Sequence, residues 1–177
     1  MREGELREWW RISLLAQVVL AVYFQLIVWL PLGKWNFQPG FEPLLVQAWN
    51  GTLAFADVGF ALCFALPLLL FIPAYRRRLV WPAAVALAGY GVWLVLQIRT
   101  WWVAYLFGAS DDWVRTYDRV FSQSTKVLPS FGRHLPPDGV HFLLQIFILV
   151  AVISLSMILL NRMRDRGHPR AQASPPP

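Results

Sequence analysis

Five polar side chains interrupt apolar segments of the sequence: the charged residues Asp57 and Arg99, and the amides Gln25, Gln97 and Gln145. Each of these segments has the length of about 20 residues that a membrane-spanning helix needs. A charged side chain inside a bilayer is costly unless it is paired, and such residues often mark functional sites. We therefore expect Asp57 and Arg99 to form an ion pair between two helices.

Each partner of this pair also has an alternative position. Asp57 can serve the first turn of its helix, where the helix dipole favours negative charge. Arg99 can instead extend its long side chain toward the lipid headgroups. In either case the two residues would not meet.

The polar side chains are expected at similar depth, in the half of each segment that lies farther from the arginine-rich flanks. With a helical rise of about 1.5 Å per residue, Asp57 lies roughly 7–8 Å from that end and Arg99 roughly 12 Å. Gln25 and Gln145 lie roughly 9 Å from it. Gln97 is slightly deeper, and it cannot face the centre together with Arg99, because the two are about 200° apart on the helix. The predicted ligand-binding residues of this polar layer are Gln25, Asp57, Gln97, Arg99, His141 and Gln145.

Acid–base chemistry is the second possibility, because Asp138 and His141 lie at the start of the last apolar segment. Their spacing of three residues places them on one face of a helix, and Gln145 follows His141 by four. The candidate catalytic residues are Asp57, Asp138 and His141, which would act on a lipid-like substrate. Arg99 would then hold an anionic or oxygen-bearing group of that substrate.

We expect neither a metal ion nor another cofactor. His134, Asp138 and His141 are metal-ligand types, but their spacing matches no ligand motif and Pro136–Pro137 interrupts the helix between them. Cys63 is the single cysteine, so the chain has no paired cysteines. No glycine-rich phosphate loop or nucleophile elbow is present.

The elements that position these residues follow from composition. Of the 177 residues, 57% are hydrophobic and 15% charged, with a mean hydropathy of +0.47. A soluble domain of this size carries roughly a quarter of its residues as charged side chains. The net charge of +6 does not indicate nucleic-acid binding, because the basic residues cluster at the ends of the apolar blocks.

The apolar blocks predict an all-α integral membrane protein, a bundle of four transmembrane helices in one domain over residues 1–165. The basic and then proline-rich tail at 166–177 is expected to be disordered and cytoplasmic. The four predicted spans cover residues 12–31, 52–75, 80–107 and 140–160.

The basic residues predict the orientation. Residues 2–11, 76–78 and 162–170 hold 10 of the 16 basic side chains, and all three segments fall on one side of a four-span chain. Cytoplasmic flanks are enriched in Lys and Arg, so both termini are expected in the cytoplasm of a multi-pass cell-membrane protein. Fourteen of the 16 are arginine, which suggests a GC-rich bacterial genome and a bacterial inner membrane. The tryptophans, including Trp101 and Trp102, are expected to anchor the two interfaces.

An amphipathic helix is predicted on the outer surface, over residues 111–128 between the third and fourth spans. Ser110 is its expected N-cap, an Asp111–Arg115 pair supports its first turns, and Pro129 ends it. It either covers the mouth of the bundle or lies on lipid. Its apolar face carries Trp113, Tyr117, Val120, Phe121, Val127 and Leu128.

Three functions fit these features. The first is binding of an apolar or amphipathic small molecule, or service as an accessory subunit of a larger membrane complex. The second is a membrane enzyme that uses the acid–base residues above on a lipid-like substrate. The third is a proton-coupled transporter acting as a dimer. The expected partners are the bilayer, such a ligand or complex, and a second copy of the chain, but not nucleic acid.

Overall fold

The computed structural model describes residues 3–36, 40, 42–53, 55, 58–59, 68, 71–73, 76–77 and 79–167. Most of the predicted second span, including Asp57, lies outside these residues, and so does the tail from 168 onward. The described chain is helical, with loops between the helices and two isolated β-bridges.

The helices with continuous described bounds follow in chain order. Helix α1 covers Glu3–Trp29, a 3₁₀ turn covers Gly33–Trp35, and the short α2 covers Leu44–Trp49. Helix α3 covers Val80–Phe107 and contains a π-helical stretch at Ile98–Val103. Helix α4 covers Asp111–Val120, and α5 covers Gly139–Gly167.

Three of these helices are long and apolar enough to cross a membrane: Gly4–Trp29, Val80–Phe107 and Gly139–Arg164. They overlap the first, third and fourth predicted spans, although the first helix begins at Gly4 and not at residue 12. The chain thus has the helices of a multi-pass membrane protein. The predicted second span is not covered by this comparison, because most of it is not described.

Helix α5 packs along both α1 and α3 and forms the centre of the described bundle. Its fully buried residues recur at helical spacing and include Ile148, Ala151, Leu155 and Ile158. One core joins Leu155 and Ile158 to Trp10 of α1. Small side chains such as Ala151 let spanning helices approach closely where the hydrophobic effect offers little driving force.

Helix α3 presents much of its apolar surface outward. Only 11% of its most apolar window is buried, compared with 39% for α1 and for α5. Val85, Val92 and Val95 are all exposed. Exposed side chains of this kind are suited to lipid acyl chains, as expected for a spanning helix.

Helix α4 begins as predicted but ends earlier. The Ser110 hydroxyl accepts a hydrogen bond from the Trp113 N–H at 3.3 Å, so Ser110 is the N-cap. The predicted helix over 111–128 stops at Val120, because the following backbone pairs with other segments. A β-bridge joins Lys126 to Asp138, and the Gly139 N–H donates to the Thr125 carbonyl at 2.7 Å.

The predicted Asp111–Arg115 pair is replaced by two others. Arg115 pairs with Asp112 within the helix, and Asp111 pairs with Arg133 at 2.8 Å. Arg133 comes from the loop that leads back to α5, so Asp111 fastens the start of α4 to that loop.

Candidate functional site

Trp101 lies at the centre of an aromatic cluster at the end of the bundle covered by α4. Only 2% of its surface is exposed. Its ring centroid lies 5.5 Å from Trp113, 6.3 Å from Tyr117 and 5.0 Å from Phe121. Those three residues are the apolar face of α4 and its C-terminal flank, so α4 packs this face against the protein.

Asp138 and His141 meet beneath this cluster. Asp138 precedes the first residue of α5, and its Oδ1 accepts a hydrogen bond from the His141 backbone N–H at 2.8 Å, as an N-cap does. The same Oδ1 lies 2.7 Å from the His141 Nδ1. The imidazole packs at a tilt of 37° against Trp101, with ring centroids 4.5 Å apart, and meets Phe121 edge-on at 5.6 Å. The ring is therefore held from three sides.

The Asp138 carboxylate is the most deeply buried acid of the described chain. Asp138 is 1% exposed, and its Oδ2 has no hydrogen-bond partner among the described residues. Tyr117 lies nearby and donates its hydroxyl to the Pro136 carbonyl at 2.9 Å. Burial, and to a lesser degree the charge of Asp138, raise the pKa of Tyr117. The Lys126 ammonium lies over the Tyr117 ring, 5.3 Å from its centroid.

A second polar cluster joins α3 to α5. The Trp102 Nε1 donates to the Gln145 Oε1 at 2.6 Å, and the Gln145 Nε2 donates to the Gln97 Oε1 at 3.3 Å. The π-helical stretch lets Trp101 and Trp102, though adjacent, both contact α5: Trp101 contacts His141 and Trp102 contacts Gln145. Stretches of this kind are frequent at functional sites.

An apolar groove of about 310 Å³ runs beside this amide cluster, between α3 and α5. Gln145 and Trp102 are part of its wall. The groove is lined by Leu94, Ile98, Trp102, Phe142, Gln145, Ile146 and Leu149.

Arg99 belongs neither to the Asp138–His141 pair nor to the amide cluster. It is exposed and lines a second groove, of about 460 Å³, together with Ser110 and Trp113. The expected ion pair with Asp57 involves a residue outside the described chain. The Gln25 Oε1 accepts from the Trp29 Nε1 within α1 at 3.0 Å. Of the residues predicted for this layer, Gln97 bonds to Gln145, His141 pairs with Asp138, and Arg99 lines the second groove.

The histidines and acids do not gather into a metal centre in the described part of the chain, which holds no group of three metal-ligand side chains. The His134 Nδ1 lies 2.7 Å from the Tyr105 carbonyl oxygen, to which it donates, and this contact is separate from the Asp138–His141 pair. The structural role of Asp138 as a helix cap is visible in its hydrogen bonds.

Sequence reasoning missed the two tryptophans that organise the site. Trp101 and Trp102 fit the general preference of tryptophan for membrane interfaces, which assigned them to anchoring. Their position directly after the polar residues Gln97 and Arg99 was the available signal for a site.

The arrangement offers two kinds of chemistry. The groove has an almost wholly apolar surface, in whose wall Gln145 is 6% exposed, and this surface suits an apolar ligand chain. The carboxylate-bound imidazole can accept or donate a proton. Comparison of the chain with protein-family models, with curated proteins and with solved structures gave no match.

Proposed function

We propose that this protein binds an apolar or amphipathic ligand in the groove between α3 and α5. The observation that carries the proposal is the hydrogen-bonded cluster of Gln97, Trp102 and Gln145 beside an otherwise apolar groove that borders the exposed side of the bundle. Mostly apolar pockets with a few placed polar groups are the usual form of small-molecule sites.

The donors of this cluster define the class of ligand. A glutamine amide has two N–H donors. Gln145 uses one of them for Gln97, and its carbonyl oxygen already accepts from Trp102. The second N–H of Gln145 is therefore the donor that the cluster offers to a ligand, and each amide oxygen also retains one lone pair. We infer a ligand with a long apolar chain and a head that accepts hydrogen bonds, such as an ester or ketone oxygen.

Photo-crosslinking of the purified protein tests this proposal. The probe is a diazirine-labelled fatty-acid methyl ester, and an equally long diazirine-labelled alkane is the comparison. We expect the ester to label peptides containing Phe142 and Ile146. Gln145→Leu should reduce ester labelling roughly three- to tenfold, as expected for the loss of one hydrogen bond, and should leave alkane labelling unchanged.

Gln17→Leu is the matched control, because Gln17 is a buried glutamine of α1 bonded to Ser13 in its own helix. It should leave ester labelling at the groove unchanged. Equal labelling by ester and alkane in the wild type, or labelling that ignores Gln145→Leu, would contradict the proposal.

The Asp138–His141 pair supports the second candidate, a membrane enzyme that moves protons on a lipid-like substrate. A carboxylate at Nδ1 fixes the ring and leaves Nε2 as the basic nitrogen. The hydrogen bonds recorded for His141 in the described chain involve Asp138 and no nucleophilic hydroxyl or thiol. Ligand binding is therefore the better supported of the two.

The proposal includes a topology of four spans, with residues 52–75 as the second, and a location in a bacterial inner membrane. Its support is the distribution of arginine. With three spans the two arginine-rich termini would face opposite sides of the membrane, whereas four spans place both in the cytoplasm. Helix α4 then lies on the outer surface.

A further inference from the structure

The groove beside Arg99 is a separate candidate site on the outward face of α3. It has a volume of about 460 Å³ and lies between α3 and the start of α4. Leu96 and Val103 supply exposed apolar surface on the α3 side, and Ser110 and Trp113 close the α4 side. None of its lining residues belongs to the wall of the groove at Gln145.

The charge of Arg99 is not balanced within the described part of the chain. No ion pair or hydrogen bond of its side chain with a described residue is recorded. The nearest acids in sequence, Asp111 and Asp112, are already paired with Arg133 and Arg115. Holding an arginine side chain at membrane depth costs free energy unless an anion pairs with it. The groove therefore favours a negatively charged ligand.

The chemistry of the groove favours a phosphate. A guanidinium presents two parallel N–H donors that fit phosphate oxygens, and the polar residues Thr100 and Ser110 are part of the same groove wall. The apolar surface of Leu96 and Val103 continues along the side of α3 that is suited to acyl chains. We propose that this groove binds an anionic phospholipid from the leaflet on the α4 side, with its phosphate on Arg99 and one acyl chain along Leu96 and Val103.

Native mass spectrometry of the full-length protein tests this assignment. The protein is equilibrated in micelles containing phosphatidylglycerol or phosphatidylcholine with identical chains, and the retained lipid is counted. We expect the wild type to prefer phosphatidylglycerol about tenfold, as for a hydrogen-bonded charge pair. Arg99→Gln should abolish this preference, whereas Arg115→Gln, which removes an exposed and paired arginine of α4, should retain it.

A second variant keeps the test decisive if Arg99→Gln does not fold. Leu96→Trp fills the groove and leaves the charge in place, so it should lower the retention of phosphatidylglycerol. Equal retention of the two lipids by the wild type, or unchanged retention in Leu96→Trp, would overturn the proposal.

Two further measurements separate the alternatives. If inorganic phosphate alone raises the melting temperature as much as phosphatidylglycerol does, the site takes a free anion and the proposal fails. Asp57→Asn should leave the lipid preference unchanged. A stronger preference in that variant would show that Asp57 normally occupies Arg99, which also overturns the proposal.

Discussion

The Asp138 side chain has two roles at the start of α5: it caps the helix backbone and it orients the His141 ring. Its Oδ1 caps the helix at the His141 N–H and holds the imidazole through Nδ1. We expect Asp138→Ala to lower the free energy of unfolding by about 1–2 kcal/mol, the usual cost of removing an N-cap. Asp138→Asn keeps a capping oxygen and should lose less, as measured by thermal unfolding in detergent.

The comparison of the two variants is the informative part of this experiment. An equal loss for the alanine and the asparagine variants would show that the negative charge matters more than the cap. His141→Ala controls for the loss of the imidazole, because it leaves the capping bond from its own backbone intact.

The surroundings of Tyr117 predict how its contribution to the free energy of unfolding changes with pH. Burial first, and the charge of Asp138 second, raise its pKa above the ordinary 10.0. The neutral phenol is thus favoured in the folded protein. Its stabilisation is fully present below pH 10.0 and is lost as the pH rises through the raised pKa.

Tyr117→Phe should therefore have two effects. Near neutral pH it should lower the free energy of unfolding by about 1–3 kcal/mol, because the buried Pro136 carbonyl loses its donor. Above pH 10 it should decline less steeply than the wild type in a series of thermal melts. Tyr105→Phe is the control, and an alkaline decline equally steep in Tyr117→Phe and the wild type would contradict the assignment.

For the candidate site residues, spacing along the sequence predicted contacts better than the estimated depth in the membrane did. The neighbourhood of Asp138 and His141 follows from a separation of three residues on one helix, and the structure shows their contact. Counting depth brought Gln97 and Gln145 together, but it also grouped them with Arg99. The direction of the side chains around the helix separated them, because Gln97 and Arg99 are about 200° apart, and in the structure Gln97 bonds to Gln145 whereas Arg99 lines the other groove. No pattern in the sequence predicts the π-helical stretch that follows Gln97.

The entry into α5 depends on close contact between Gly139 and the 3₁₀ turn that follows α1. A Cβ on Gly139 would lie 2.8 and 2.9 Å from two atoms of the Trp35 ring. Gly139→Ala should displace that ring and lower the free energy of unfolding by about 1–3 kcal/mol, as overpacking usually does. Thermal unfolding in detergent measures the loss.

Gly89 of α3 provides the matched substitution, because a Cβ there has no neighbour within 4 Å. Gly89→Ala should be neutral or stabilising, since alanine favours the helix interior over glycine by up to about 1 kcal/mol. A Gly139→Ala variant as stable as Gly89→Ala would show that the contact with Trp35 is easily relieved.

The sequence predicted which segments are helical better than it predicted where a helix ends. The long apolar runs predicted α1, α3 and α5, because a segment of that length has few alternatives. The periodic apolar pattern of α4 continues past Phe121, and the helix does not. Its end is decided by the pairing of Lys126 with Asp138, which joins segments far apart in sequence and which no local pattern contains.

Among the described residues, the side chains suited to chemistry lie toward one end of the bundle. The aromatic cluster around Trp101, the Asp138–His141 pair and the amides of Gln97 and Gln145 all lie where α3 ends and α5 begins. The opposite part of the α1–α5 contact is mostly apolar packing around Trp10 and Leu155. Ligand binding, as proposed, therefore concerns the side of the membrane that α4 faces.

That side can be determined by cysteine labelling in intact cells, after replacement of Cys63 by alanine. Four spans with cytoplasmic termini place α4 and the loop after α1 outside, and the link at 76–78 inside. A membrane-impermeant maleimide should therefore label Lys34→Cys and Gln123→Cys, which are exposed positions, and should reach Arg77→Cys only after the cells are opened. All three positions are exposed in the structure, so a difference between them reports sidedness rather than burial. Labelling of Arg77→Cys in intact cells would rule out the four-span arrangement. It would place the arginines at 76–78 on the same side of the membrane as α4.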